Sequence, residues 1–349
     1  MRVLLVGPYP PPQGGVQTHL VALRQYLRDH GVDCAVINVT RHRQANADQL
    51  YFPRSSLEVL RLLVARKYDV IHLHIGGDLT SRVLRLGLAC TAIPWSRSVL
   101  TFHSGGYPSS PAGRATANRF RQLVARRFDR IIGVNRAIVD LFLRIGCRPE
   151  RVRLIEPHAF APRADEGAGP LPVRLRRFVD SHSPLLLTVG LLEPEYGLPL
   201  QIEVVGAVRA RFPGAGLLIA GSGSLEAELR GRIDALPDSE HILLAGDVPH
   251  DSTLRLIRRA DLLLRTTHYD GDSIAVREAL HLGTPVIASD NGMRPPGVRL
   301  IPAGDARVLR AAIEEQLLTE RPLRERDEGG EEDTSNLAAV LALYEDVLR

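Results

Sequence analysis

The chain has 349 residues, 44% of them hydrophobic and 24% charged, which excludes disordered, fibrous and collagen-like classes and is long enough for two hydrophobic cores. No apolar run approaches the ~18 residues of a membrane-spanning helix, so any membrane contact is expected to be peripheral. The net charge of +4 is unevenly placed: residues 1–160 carry 23 basic and 10 acidic side chains, or +13, and residues 161–349 carry 21 and 30, or −9.

Short apolar runs alternate with helix-length amphipathic stretches, the rhythm of βα units and parallel sheets. The first run, Arg2–Val6, is too brief for a signal peptide and reads as a buried strand. It leads into GPYPPPQGGVQTHL, where Gly14 and Gly15 precede a helix over Val16–His30 and let backbone N–H groups approach an anion; a tight strand-to-helix turn explains them equally well. Strands follow at Ala35–Val39, Asp69–His74, Ser98–His103 and Arg130–Val134, with a helix over Ala115–Arg127. His72 and His74 share one strand face, but no third ligand has suitable spacing, so no metal is expected there. His103 ends its strand before Gly105 and Gly106, where a substrate has room to sit.

Residues 160–172, rich in Pro, Gly and Ala, read as the linker between domains. A second series of strands covers Pro184–Val189, Gly216–Ala220, Ile242–Leu244, Asp261–Leu264, Pro285–Ser289 and Val298–Ile301. Gly190 ends the first of these, and Gly221 and Gly223 follow the second, permitting close approach of a ligand or simply a turn. The segment RTTHYDGDSIAVREALHLGTPVIASD carries the most chemistry: a strand ends at Arg265, and Ser273 is placed to cap a helix. Asp270 and Glu278 are expected to bracket that helix start and hold sugar and ribose hydroxyls, while N–H groups of Gly271, Asp272, Ser273 and Ile274 receive a diphosphate. Helix-dipole pairing is the simpler explanation of the same acids. A charged stretch after Thr319 reads as a solvated loop before a last helix near residues 335–348.

These segments resemble the retaining GT-B glycosyltransferases related to glycogen synthase and to bacterial mannosyl- and glucosyltransferases, the group 1, family 4 type, in its polysaccharide-biosynthesis branch. The resemblance rests on GGVQTHL, LTFHSGG, VGLLEPEYG, IAGSGSLEAEL and, above all, DGDSIAVREALHLGTPVIASD, and spans nearly the whole chain. It implies an α/β fold of two Rossmann-like domains facing a cleft, residues 1–165 binding the acceptor and 175–320 the nucleotide sugar, with residues 335–349 returning to the first domain. It also implies transfer with retention and without a metal or other cofactor. Gly15 would lie near the diphosphate, His103 would face the transferred sugar, Asp270 would hold sugar hydroxyls and Glu278 the ribose. Asp270 departs from the family's usual Glu. Leu191 and Tyr196 stand where the family usually carries an Arg and a Lys against the diphosphate, so Arg265 and then Arg294 become the candidates to replace that charge.

The basic first half calls for an anionic partner. Aromatic residues are only 5% and no nucleic-acid-binding motif appears, so a lipid-linked acceptor at an anionic membrane surface fits better than nucleic acid. Cys34, Cys90 and Cys147 have no ligand spacing and fit a reducing, cytoplasmic compartment. Three rival readings stand beside the transferase. Asp270-Gly271-Asp272 matches the DxD of metal-dependent GT-A enzymes; a sugar-nucleotide 2-epimerase shares the GT-B architecture; and a non-catalytic partner would have lost the Arg and Lys.

Overall fold

The computed structural model describes residues 1–10, 14–40, 44–46, 48–65, 67–116, 118–157, 171–268, 273–292, 294–319 and 334–349. The expected linker at 160–172 therefore lies outside the described residues except at its end, as does the charged stretch after Thr319. The chain divides into two compact units, Met1–His158 with Asp333–Arg349, and Ala159–Glu332.

In the first unit, β1 (Arg2–Gly7), α1 (Gly15–Asp29), β2 (Asp33–Asn38), β3 (Leu50–Tyr51), α2 (Ser56–Ala65), β4 (Val70–Ile75), α3 (Ser81–Thr91) and β5 (Arg97–Phe102) come first. Then follow α4 (Pro111–Arg114), α5 (Arg119–Arg127), β6 (Arg130–Gly133), α6 (Arg136–Arg144) and β7 (Val152–Leu154). The strands pair in parallel in the order β3-β2-β1-β4-β5-β6-β7. Val3 to Val6 are fully buried, as expected of a central parallel strand covered on both faces, whose sequence is a continuous apolar run. The order reverses between β1 and β4, and crevices at the carboxyl ends beside such a reversal are where doubly wound sheets bind ligands.

The helix expected over Ala115–Arg127 starts later, at Arg119, and the short α4 precedes it. Ser110 caps α4, its side chain accepting from Gly113 N at 3.0 Å, and Asn118 caps α5 through Arg121 N at 2.9 Å. Between them the chain is extended at Ala115. The buried Arg121 guanidinium explains the break: it donates to the Ala112 carbonyl at 2.6 Å, to the Ala115 carbonyl and to the Tyr107 hydroxyl at 2.9 Å, satisfying acceptors that a continuous helix would have used itself.

The second unit runs α7 (Val173–Ser181), β8 (Leu185–Val189), α8 (Leu198–Arg209), β9 (Gly216–Ala220), α9 (Glu226–Asp234), β10 (Ile242–Gly246) and α10 (His250–Arg259). It continues through β11 (Leu262–Arg265), α11 (Ile274–His281), β12 (Val286–Ser289), β13 (Arg299–Ile301) and α12 (Ala306–Leu318). Its sheet is again parallel, in the order β10-β9-β8-β11-β12-β13, with the reversal between β8 and β11. Apolar clusters fill both faces of this sheet, one around Leu186, Ile219 and Leu264, the other around Leu187, Leu218 and Leu263.

The last helix, α13 (Ser335–Leu348), belongs to the first unit. It buries Leu337, Val340, Leu343, Tyr344 and Val347. Each such apolar side chain contributes about 1.5–3 kcal/mol relative to exposure. The Tyr344 hydroxyl bonds to His72 Nδ1 in β4, and Arg130 Nη2 meets Asp346 at 2.7 Å.

Candidate active site

At the carboxyl edge of the first sheet three histidines meet that the sequence left apart. His19 comes from α1, His74 from β4, and His103 directly follows β5. One ring nitrogen from each lies within 4.8 Å of the others, and His74 Nδ1 is 3.2 Å from His103 Nε2. Sequence spacing offered no third ligand beside His72 and His74; the fold supplies His19 from α1, a neighbour of His74 that no spacing announces. His72 has a different place. Its Nε2 bonds to the Thr101 hydroxyl at 2.7 Å and its Nδ1 to Tyr344, so it is a satisfied core histidine. Burial pushes His72, His74 and His103 well below the usual imidazole range, with neighbouring imidazoles adding to the effect. All three are therefore neutral at physiological pH. His103 keeps partial exposure, whereas His19 and His74 are almost wholly buried.

Gly14 is the residue before α1, with extended backbone (φ 177°, ψ 165°) that any residue adopts, and Gly15 is the helix's first residue. A Cβ on Gly14 would meet only the Gln17 side chain. These glycines open the helix start without being demanded by its backbone angles.

In the second unit the reversal of strand order puts the ends of β8 and β11 side by side. Arg265, 6% exposed, closes β11 and donates from Nη1 to the Val189 carbonyl at 2.8 Å, while its guanidinium lies 4.6 Å from the centre of the Tyr196 ring. A stacked, desolvated pair of this kind is worth roughly 1–2 kcal/mol. A Cβ on Gly190 would strike both the Tyr196 ring and Arg265 Nη1, so glycine at 190 is what lets the pair close. Leu191, the other departure from the family pattern, is 47% exposed.

A buried polar chain fixes the same corner. Thr188 donates to Gln201 Oε1, Gln201 Nε2 donates to Thr266 Oγ1 at 2.7 Å, and Thr266 donates to the Tyr196 carbonyl at 2.9 Å. These bonds tie β8, α8 and the segment after β11 together, so the Arg265–Tyr196 pair stands on a rigid base. Sequence reasoning passed over Gln201 and Thr266, whose only signal is polarity in otherwise apolar helix and strand ends.

Gly221 and Gly223 prove to serve the protein's own packing. A Cβ on Gly221, whose φ is +139°, would collide with the Gly190 carbonyl, and one on Gly223 would strike the Leu192 backbone. The two loops are laced by Leu192 N to the Ser222 carbonyl at 3.0 Å and by Glu193, which accepts from Ser224 N at 2.9 Å and from its hydroxyl. Close approach is real at these glycines, but the approaching group is backbone.

Ser273 precedes α11 as expected, yet its side chain makes no capping hydrogen bond. Ile274 is the helix's first residue, and Asp270, Gly271 and Asp272 lie outside the described residues. Glu278 does not bracket the helix start. It sits in the second turn, 2% exposed, and its Oε1 is 2.7 Å from His250 Nε2 at the start of α10. Burial raises the Glu278 pKa against the opposing pull of His250. Arg294 reaches the Thr267 hydroxyl from Nη2 at 2.5 Å and the Ser289 carbonyl from Nε at 3.1 Å, at the carboxyl end of β12. Arg265, Arg294 and the start of α11 thus share the carboxyl edge of the second sheet.

Comparison with known proteins fits this geometry. Residues 5–158 match the glycosyl transferase 4-like domain family and residues 176–326 the glycosyl transferases group 1 family. Phosphatidyl-myo-inositol mannosyltransferase of Mycolicibacterium smegmatis is 26% identical over 341 residues, covering 90% of this chain and 84% of that protein. Among solved structures, Anabaena HepE in complex with UDP and glucose superposes with a TM-score of 0.68 at 18% identity, covering 100% of this chain and 96% of the other. Sucrose-phosphate synthase from Thermosynechococcus elongatus gives 0.69 at 20% identity, covering 99% and 98%.

Proposed function

We propose a specific reaction for this chain, which belongs to the group 1 glycosyltransferases of the family 4 type and has the GT-B fold: a sugar passes from a nucleotide diphosphate donor to an acceptor hydroxyl with retention and without a metal. The observation that carries the reading is the buried Arg265 guanidinium, stacked on Tyr196 beside Gly190 where the second sheet's strand order reverses. That is the corner from which the family's usual diphosphate-binding Arg and Lys are missing, and Arg265 restores a fixed positive charge to it. The leaving diphosphate gains negative charge as the glycosidic bond breaks, and a pre-positioned cation stabilises that change by several kcal/mol. Relatives solved with UDP and glucose support a nucleotide sugar as donor.

In this mechanism the acceptor hydroxyl attacks the anomeric carbon from the face the diphosphate leaves, and a leaving phosphate oxygen takes the hydroxyl's proton. Glu278 holds the ribose hydroxyls and Asp270 the sugar hydroxyls, with Arg265 and the N–H groups at the start of α11 on the diphosphate. His250, bonded to Glu278, fixes that carboxylate's orientation. His103 is neutral, so it orients the sugar by hydrogen bonding and carries no full charge.

The acceptor we favour is a lipid-linked saccharide of cell-surface polysaccharide assembly. A relative named for transfer to phosphatidyl-myo-inositol supports a lipid-borne acceptor. So does α2, on which Leu57, Leu60 and Val64 are exposed beside the exposed Arg54, Arg61 and Lys67, an apolar stripe with basic flanks. Among the described residues no helix is long and apolar enough to cross a membrane. Thermal stabilisation by UDP, GDP, ADP and their sugar conjugates, each with and without EDTA, tests the donor site. Stabilisation by one nucleotide that survives EDTA and disappears in Arg265→Ala is expected; loss with EDTA overturns metal independence, and an unaltered response in Arg265→Ala overturns the assigned charge. Product analysis with donor alone separates transfer from 2-epimerisation. Equal sedimentation with neutral and anionic vesicles would remove the membrane reading.

A further inference from the structure

We propose that His19, His74 and His103 form a binding site for a divalent cation of the zinc class at the carboxyl edge of the first sheet. The three ligand atoms come from three different elements and lie within 4.8 Å of one another. On a tetrahedral ion with Zn–N bonds of about 2.0–2.1 Å, neighbouring ligand nitrogens stand about 3.3 Å apart. His74 Nδ1 and His103 Nε2, at 3.2 Å, already have that separation. His19, whose ligand nitrogen lies within 4.8 Å of the other two, has to move inward to complete a three-imidazole face. An all-imidazole donor set selects zinc, copper or nickel over magnesium and calcium, which require oxygen ligands.

A second observation points the same way. His74 Nε2, the ring's other nitrogen, is buried and has no hydrogen-bond partner among the described residues, a rare condition for a buried polar atom, so no bond there pins the ring against an ion at Nδ1. On the same face of β4, His72 is held at both nitrogens by Thr101 and Tyr344. The sheet therefore anchors one imidazole of the pair at both nitrogens and leaves the other, among the described residues, hydrogen-bonded only to His103. Burial keeps His74 and His103 neutral, with ligand lone pairs available. On coordination the proton shared between His74 and His103 moves to a ring nitrogen facing away from the ion. His103, partly exposed and followed by Ser104-Gly105-Gly106, is the side from which an ion and its fourth ligand, a water, enter.

Such an ion occupies the nitrogen of His103 that the proposed transferase directs at the sugar, so zinc inhibits transfer by raising the apparent KM for the donor. That consequence rests on the transferase reading, whereas binding does not, and the experiment measures binding directly. EDTA-stripped full-length protein is titrated with ZnCl2 by calorimetry, and with CoCl2 by visible absorption. One equivalent at micromolar or lower Kd is expected, together with the intense absorption of tetrahedral cobalt. His74→Phe, which keeps the ring's volume, and His19→Gln should each weaken zinc by more than about tenfold, since even loss of a group behind a metal ligand costs 10- to 100-fold. No uptake at micromolar zinc, an octahedral cobalt spectrum, or zinc affinity unchanged in either folded variant overturns the site. Should both variants fail to fold, the cobalt spectrum of the unaltered protein decides.

Discussion

Acid should destabilise the first unit through its buried imidazoles. His72, His74 and His103 stay neutral in the folded state because burial pushes their pKa values well below 6.5. In the unfolded chain they titrate near that ordinary value. A depressed folded pKa means that the unfolded state binds more protons once the pH drops below 6.5, so stability present at neutral pH is lost as the pH falls toward the folded values. At about pH 5.5 each unfolded imidazole gains RT ln 11, about 1.4 kcal/mol, against almost nothing at about pH 7.5. For three histidines that remain neutral when folded, the loss reaches at most about 4 kcal/mol, near three powers of ten in the opening equilibrium. The groups packed around them are His19, Thr101 and Tyr344, and the Tyr344 phenol is held well above its usual range by burial, so it does not titrate in this window. Hydrogen exchange of peptides from β4 and β5, corrected for intrinsic rates at each pH, measures the opening free energy. His72→Leu should be less stable throughout, yet its stability should fall less with acid, by about 1.4 kcal/mol over the same interval. A pH dependence in His72→Leu as steep as in the unaltered protein would refute the assignment.

Glu278 should behave oppositely: its folded pKa is raised by burial, so its contribution is fully present below the unfolded value of 4.5 and is lost as pH rises through the folded one. The Glu278→Gln variant should therefore gain thermal stability relative to the unaltered protein as pH rises from below 4.5 through the folded value, while losing donor binding by the nucleotide-shift assay; a constant stability difference would argue against a strained carboxylate. Removing the guanidinium in Arg265→Ala should weaken donor binding by about 1.5–3 kcal/mol, the range of a charge-assisted hydrogen bond, measured by calorimetry with the nucleoside diphosphate. Gly221→Ala should lower the melting temperature of the second unit, since a Cβ meets the Gly190 carbonyl and the φ of +139° is forbidding to an L side chain, at a cost of at least about 1–3 kcal/mol. Tyr344→Phe leaves His72 Nδ1 buried without its partner and should cost about 1–3 kcal/mol in chemical denaturation.

Continuous apolar runs made most strands legible. Gly216–Ala220 is as expected, and β1, β8 and β12 differ by a residue at an end, because a central parallel strand buried on both faces writes its limits in hydrophobicity. The edge strands β3 and β7 were missed: Leu50–Tyr51 and Val152–Leu154 are two and three residues long, and Leu154 is 48% exposed, so neither leaves an apolar run to read. The break at Ala115 was hidden for another reason. It depends on where the Arg121 guanidinium goes, and a pattern of apolar spacing carries no information about a buried cation's acceptors.

The site was legible in its residue types and obscure in its pairings. His103 and Arg265 stand out because each ends a strand, and the doubly wound rule directs attention to such ends. His19 is different: it lies on a helix whose crossing over the sheet edge decides its neighbours, so its meeting with His74 is a property of the fold and of no local spacing. The same holds for His250 and Glu278, which belong to adjacent helices. Tyr196 shows how far a substitution can be read once its neighbour is known. Taken alone, an aromatic ring where the resemblance expects a Lys removes a charge from the proposed diphosphate corner. Beside Arg265 the ring becomes the surface on which another cation is held, and Gly190 is the residue whose lack of a side chain admits both. In the proposed reaction the charge at this corner is thus carried by β11 in place of the loop after β8. A strand end held by sheet pairing and by the Val189 carbonyl fixes a guanidinium more firmly than a loop lysine on a flexible four-carbon stem. The double substitution Tyr196→Lys with Arg265→Ala therefore tests whether position or identity matters. Donor binding recovered to the unaltered level would show that any cation at this corner suffices, whereas recovery of only part of the loss is expected, because lysine supplies a point charge without the planar fork that meets two phosphate oxygens at once.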